Sequence, residues 1–388
     1  MEPISEEKAA WCALNTIFGF EPLAGHRIAD ALGGPAEIFK LSYQERRDVT
    51  GPSRYLSQLT PEALEEAARC LERIREDGYR FIGYGEEDYP ALLRECEDPP
   101  LGLYIRSDSP LPVLFDDRPA IAVVGTRDIS PYGTEWCQRI VMALARCRRK
   151  PRIVSGLALG TDGIAHQTAL ECGLATVGVM ATGIDGIYPF RHSSLADDMA
   201  AAPGSGLVTD YPPGTAPLAL HFIRRNRIIA GLCNATLLIE SKARGGGLIT
   251  ARLAASYDRT VLALPGRIDD RRSAGCNHLI RAQIAEPITD LDHLAEQLGL
   301  GAGEPLRKRN LAAEVYALYE GALPPEQVRR LAGMARLIQE NRGIPLEEIA
   351  RRTGTDWPDA AADAGILQAD GIICMDLLQN CTIKPKNM

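Results

Sequence analysis

Apolar positions change their period along the chain, and the changes mark out its parts. From residue 5 to about 77 they recur at spacings near 3.6, in AAWCALNTIF, LAGHRIADAL, AEIFKL and PEALEEAARCLERIRED. Such spacings predict short helices. The punctuating GHR, LGGP and TGPS segments predict tight turns between them. Residues 1–80 therefore read as a small helical module, of a SAM or helix-hairpin kind. Residues 81–118 carry a brief strand pattern and several prolines, and read as a connector packed on the next domain.

From residue 119 the pattern becomes an alternation. Short, nearly continuous apolar runs occupy 120–125, 152–156, 176–181, 206–210, 235–240 and 260–266, with helix-period segments between them. Strands that are apolar on both faces and alternate with helices predict a mostly parallel sheet covered on both sides. The fold class expected for 119–296 is thus α/β, a Rossmann-like doubly wound domain. Ligands of such sheets bind beyond the carboxyl ends of the strands. A Gly-rich, then basic, linker follows at 297–309. Residues 310–388 read as helix, turn, short helix and small hairpin, a degenerate winged-helix-like tail. Its second helix, rich in Ala and Asp, offers no cations to a DNA groove.

Composition narrows the class. The 388 residues are 45% hydrophobic and 24% charged, which excludes disorder as the dominant state. The ten cysteines form no C-x-x-C pair and no zinc spacing, so buried free thiols of a reduced, cytoplasmic protein are expected. The acidic amino-terminal stretch lacks a signal-peptide core. No apolar run is long enough for a membrane span.

Net charge is −8, but it is unevenly spread. Residues 221–281 hold eleven Lys and Arg against four Asp and Glu, a surplus of +7, leaving −15 for the rest. One basic stretch in an acidic protein reads as a focused polyanion site.

Four strand-end segments carry candidate chemistry. Gly125-Thr126-Arg127 offers backbone amides and a guanidinium suited to phosphate, or else a loop arginine paired to a carboxylate. The segment from Ser155 and Gly156 through Gly160 opens a helix whose free amides would favour an anion. It has neither G-x-G-x-x-G nor a Walker lysine, so the usual nucleotide cofactors are not supported, and no cofactor is expected. Asp162 reads as a helix N-cap. With His166, four residues on, it reads as a structural hydrogen-bonded pair, a catalytic pair being the alternative.

Phe222, Arg224, Arg225, Asn226 and Arg227 lie at the predicted start of a helix. Cations there oppose the helix dipole, which is easier to explain if an anion binds. Phe222 is placed to stack a base of single-stranded nucleic acid. Lys242 and the Gly245-Gly246-Gly247 turn before the next helix form a second anion cradle.

The motifs VVGTRDISPYG, IVSGLALGTDGIAHQTAL, GIDGIYPFRHSSL, FIRRNRIIAGL, LLIESKARGGGLITARLA and LALPGRIDDRRSAGCNHLI resemble, in order and spacing, the DprA/Smf family of DNA-processing proteins. The resemblance covers about 118–290, with YPALLRECEDPPLGLYIR similar to the family's approach segment. It implies a homodimeric protein, not an enzyme, that binds single-stranded DNA, protects it, and loads RecA recombinase during natural transformation. By motif position the DNA pocket would use Arg127, Ser155, Gly156, Gly160, Arg225, Asn226 and Arg227, with Lys242 and Gly245 to Gly247 adding contacts. The chain departs from the family pattern at Ile223, where proline is usual, at Gly245 and Gly247, where serines are usual, and at Asp210, where glutamate is usual. The competing readings are a nucleotide-binding or nucleotide-processing enzyme on the same fold, and a scaffold for RecA or self contacts.

Overall fold

The computed structural model describes residues 3–301, 310–341, 343–376 and 378–383. Helices α1 (Glu6–Phe18), α2 (Pro22–Leu32), α3 (Glu37–Lys40), α4 (Tyr43–Thr50) and α5 (Pro61–Glu76) come first. Their starts follow local capping chemistry. Ser5, Ser42 and Thr60 each accept a backbone N–H of the first turn, and Ser42 with Glu45 closes a reciprocal capping box.

The helical module has no separate core. Trp11, Leu14, Phe18 and Phe39 form one apolar cluster with Phe81, Tyr104, Met199 and Leu207 of the following region. The segment after α5 supplies two strands, β1 (Arg80–Gly83) and β2 (Gly102–Arg106), and two single-turn helices, α6 (Ala91–Arg94) and α7 (Leu111–Leu114).

The alternating region gives β3 (Ala120–Val124), α8 (Pro131–Leu144), β4 (Arg152–Ser155), α9 (Thr161–Glu171), β5 (Thr176–Val179), α10 (Ser193–Ala201) and β6 (Gly206–Thr209). It continues with α11 (Ala219–Gly231), β7 (Ala235–Leu238), α12 (Gly246–Ser256), β8 (Thr260–Ala263), α13 (Ala274–Arg281), β9 (Glu286–Pro287) and α14 (Leu291–Gln297). All six predicted strands are present. The sheet has nine strands in the order β1-β2-β6-β5-β4-β3-β7-β8-β9. Pairing is parallel from β6 to β9 and antiparallel where β2 joins β6 and β1 joins β2. Strands β3 to β7 are buried along their whole length, which is why they read as continuous apolar runs.

Strand order reverses at β3. The chain leaves it toward β4 on one side and returns to β7 on the other. The loops after β3 and β7 therefore part over this boundary and leave a crevice.

The tail has its own core, around Leu311, Val315, Leu331, Ile349 and Leu367. It contains α15 (Leu311–Tyr319), α16 (Pro325–Glu340), β10 (Ile344–Pro345), α17 (Leu346–Thr353), α18 (Trp357–Ala369), β11 (Ile373–Met375) and β12 (Asn380–Ile383), with sheet order β10-β12-β11. The helix expected to be short, α18, has 13 residues against 8 in α17. Asp356 caps it, and the Asp363 carboxylate inside it accepts from Arg330 at 3.0 Å.

Candidate nucleic-acid interface

A cleft of about 850 Å³ opens at the β3/β7 crevice. Its floor and walls come from the turn after β3, the turn after β7, and one face each of α11 and α12, with Ala158 just before α9, Asp162 at its start, Tyr188 and Pro217 completing the rim. The two turns touch through their backbones. A Cβ on Gly247 would lie 3.1 Å from the Gly125 Cα, so a side chain there would push the loops apart. The turn after β3 is pinned from the side as well, because Thr161 donates to the Thr126 carbonyl through both its amide and its hydroxyl, each at 3.1 Å.

Cations line this space. Arg127, Lys242, Arg244 and Arg252 are exposed in it. Lys242 lies 3.6 Å from Asp128. Among the described residues, Arg127, Arg244 and Arg252 have no carboxylate within ion-pairing distance. The Arg127 guanidinium lies over the Phe222 ring, 4.9 Å from its centroid, and Tyr188 meets the same ring edge-on at 5.5 Å. Helix α12 starts at the back of the cleft with Gly245 as its N-cap and no side chain capping it. Its first amides thus lack intrahelical partners, and the positive end of its dipole faces the cleft. Nothing lies within 4 Å of a Cβ added at Gly246, so the turn is open there.

The three consecutive-looking arginines diverge. Helix α11 begins at Ala219, so Arg224, Arg225 and Arg227 sit in its middle turns and not at its start. The expected clash with the helix dipole therefore does not arise. At about 100° per residue the three side chains must leave in different directions. Arg224 donates to the Gly19 carbonyl at 2.8 Å and lies over Phe20 of the helical module.

Arg225 is only 3% exposed and forms part of the cleft floor. Its guanidinium donates to the carbonyls of Gly156 and Val179, tying the ends of β4 and β5 together. Burial, partly opposed by Asp162, pushes it down to about 10. Arg227, 6% exposed, is turned away from the cleft. It donates to the Asp210 carboxylate at 2.7 Å and to the Asp98 carbonyl, joining the segment before β2 to the loop after β6.

The loop after β4 differs from the expected anion cradle. Ser155 is fully buried and donates its hydroxyl to the Val123 carbonyl at 2.6 Å. A Cβ on Gly156 would lie 2.5 Å from the Arg225 guanidinium, so this glycine makes room for an arginine and not for a ligand. The amides of Thr161 and Gly163 are already taken by the carbonyls of Thr126 and Ala158. Gly160, at φ +77°, is the helix cap, and Asp162 is not.

The Asp162 carboxylate turns back and accepts from the Ala158 amide at 3.3 Å, with burial raising its pKa. His166 points the other way, with Nδ1 2.7 Å from the Thr176 hydroxyl. The expected Asp162–His166 pair is therefore absent among the described contacts. The buried His166 Nε2 has no partner, and burial pushes the imidazole down to about 3.

The structure thus brings together Gly125, Thr126, Arg127, Asp162, Phe222, Arg225, Asn226, Lys242 and Gly245 to Gly247. It leaves Ser155, Gly156, Gly160, Arg224 and Arg227 outside the cleft. Two cations the motif reading did not single out as contacts, Arg244 and Arg252, join it. The signal for Arg252 was available: it lies seven residues after Gly245, on the same helical face. Tyr188 and Ile223, which lie within the family-like motifs but which the motif reading did not single out as contacts, also line the cleft. Among the described residues no cluster of ligating side chains suits a metal ion. No helix among the described residues is long and apolar enough to cross a membrane.

A doubly wound domain with a cationic cleft at its strand-order switch is, as a class, a Rossmann-like protein. The comparisons then specify the family. Residues 80–299 match the family of DNA recombination-mediator protein A, and the chain belongs to that family. It is 36% identical to the DNA processing protein DprA of Bacillus subtilis over 230 residues, which are 59% of this chain and 75% of the relative. The X-ray structure of DNA processing protein A from Streptococcus pneumoniae is similar with a TM-score of 0.61 and 30% identity, covering 76% of this chain and 99% of that one. The Helicobacter pylori protein, whose structure describes a single-stranded DNA binding mode, is similar with a TM-score of 0.50 and 28% identity, covering 57% and 95%.

Proposed function

We propose that the chain is a single-stranded-DNA-binding recombination mediator and that the switch-point cleft is its DNA site. The observation that carries this reading is the set of exposed cations, Arg127, Arg244 and Arg252, converging without carboxylate partners on the open amino terminus of α12. Phosphate oxygens suit both the guanidinium forks and the amides. Phe222 and Tyr188 supply ring faces and edges for unpaired bases, which a duplex would keep stacked inside.

In this reading Gly125, Thr126, Lys242, Asn226 and the Gly245–Gly247 turn contact the strand. Arg225 acts from beneath, holding the loop ends in place. Arg224 and Arg227 do not touch DNA in the cleft. The family membership supports a role in protecting incoming single strands and handing them to RecA during natural transformation, with the protein acting as a homodimer in the cytoplasm. Equilibrium binding of a fluorescent oligo-dT and of its duplex, each at two salt concentrations, tests the first step. Tight, salt-sensitive binding to the single strand and much weaker binding to the duplex is expected. Equal affinity for both would overturn the assignment. RecA-filament assembly on oligo-dT coated with a single-strand-binding protein tests the second step, and no acceleration by the chain would remove it.

A further inference from the structure

Outside the cleft, the far side of α11 repeats one of its features. In the cleft the Arg127 guanidinium lies 4.9 Å from the Phe222 ring centroid. Around the helix, Arg224 lies 4.5 Å from the Phe20 ring centroid, held there by its hydrogen bond to the Gly19 carbonyl. Phe222 and Arg224 are two residues apart and so face nearly opposite ways, which sets the two arginine–phenylalanine pairs about a helix diameter, ~10–12 Å, apart.

The surface between them is apolar and open. Ile223, 50% exposed, lines the cleft, while Leu220 at 55% and Phe20 at 44% lie beyond it. Leu220, Ile223 and Arg224 share one face of α11 by their spacing of three and four residues. Each pair therefore offers a cation beside a ring, the two elements with which proteins hold a strand of unpaired nucleotides.

We propose that single-stranded DNA leaving the cleft continues over Ile223 and Leu220 onto Phe20 and Arg224, so that the helical module carries a second stacking platform. This rests on the cleft reading and adds to it a direction of travel and a dependence on strand length. The occupant is single-stranded DNA and not a protein partner, because the patch is continuous with the cationic cleft through Ile223 and repeats its cation-on-ring pair.

The test compares an oligo-dT of about 5 nucleotides, near the lower end of the ~4–16 that one such site covers, with one of about 30. The full chain and its Phe20→Ala, Phe20→Trp and Leu220→Asp variants are measured with both. Phe20→Ala should weaken the long oligonucleotide roughly five- to a hundredfold and leave the short one unchanged, since a stacked base carries that much affinity. Phe20→Trp should restore the loss, and Leu220→Asp should reproduce it through charge repulsion at a site too exposed to disturb folding. Unchanged long-strand binding in Phe20→Ala and Leu220→Asp overturns the platform. So does an equal loss at both lengths, or a change in sedimentation behaviour with DNA affinity intact. Arg127→Ala keeps the two readings apart: short-strand binding that survives it fails the cleft itself, whatever Phe20 does.

Discussion

Arg127→Ala combined with Arg244→Ala, set against Arg227→Ala, separates the cationic side chains that meet DNA from those that hold the fold. The cleft presents four exposed cations, Arg127, Lys242, Arg244 and Arg252. If each meets one phosphate, log affinity for a single strand falls with log salt at a slope of about 2.8, at ~0.7 per contact. Between about 50 and 200 mM salt the native chain should then lose about 50-fold in affinity, and the double variant, with a slope near 1.4, only about sevenfold. Arg227→Ala should leave the slope alone. It removes the partner of the buried Asp210 carboxylate, whose second oxygen already lacks a hydrogen bond. Breaking a buried pair in this way costs about 3–5 kcal/mol of stability. Fluorescence anisotropy across a salt series reads the slopes, and urea unfolding reads the stability. A native slope in the double variant would refute the placement of DNA in the cleft. A reduced slope in a still-folded Arg227→Ala chain would refute the division of labour.

His166 is held neutral, with its imidazole pushed down to about 3 by burial, whereas an unfolded histidine titrates near ~6.5. Its contribution to stability is therefore complete above pH ~6.5 and is lost as pH falls toward 3. By linkage the loss is about 2 kcal/mol at pH 5. His166→Gln should flatten the acid limb of stability, read by urea unfolding at pH 7 and pH 5, while oligo-dT binding at pH 7 persists; an unchanged limb would count against the buried neutral imidazole. Two glycines should part company under substitution. Gly156→Ala drives a methyl into the buried Arg225 guanidinium and should cost roughly 3 kcal/mol or more, whereas Gly246→Ser meets open space and should fold normally, as thermal melts would show. Equal melting temperatures for the two would contradict the packing described for Arg225.

The parts of the fold and site that the sequence made legible are those dictated by local pattern. Strands β3 to β8 announced themselves because a parallel strand buried on both faces must be apolar throughout. The turn at Gly245–Gly247 was legible because a strand, a glycine run and a helix in that order leave few other conformations. The arginines were not. Helix α11 begins after Leu218, which caps nothing with its side chain, so no residue marked the true start three residues before Phe222. Once the start is fixed, helical geometry alone forbids Arg224, Arg225 and Arg227 from converging. Where each one ends depends on contacts distant in the chain. Arg224 meets Gly19, 205 residues away, and Arg227 meets Asp98, 129 residues away. Asp162 misled in a related way: the sequence made a carboxylate at a helix start look like a cap, but the cap position falls on Gly160, and the Thr161 and Gly163 amides are taken by the carbonyls of Thr126 and Ala158. That leaves the carboxylate free to brace the loop whose carbonyl, at Gly156, Arg225 holds. The basic surplus of residues 221–281 thus marked the right region for two different reasons. Part of it, in Arg127's neighbours Lys242, Arg244 and Arg252, is surface charge that faces the cleft. Another part, in Arg225 and Arg227, is buried charge that shapes the ends of the strands on which the cleft is built.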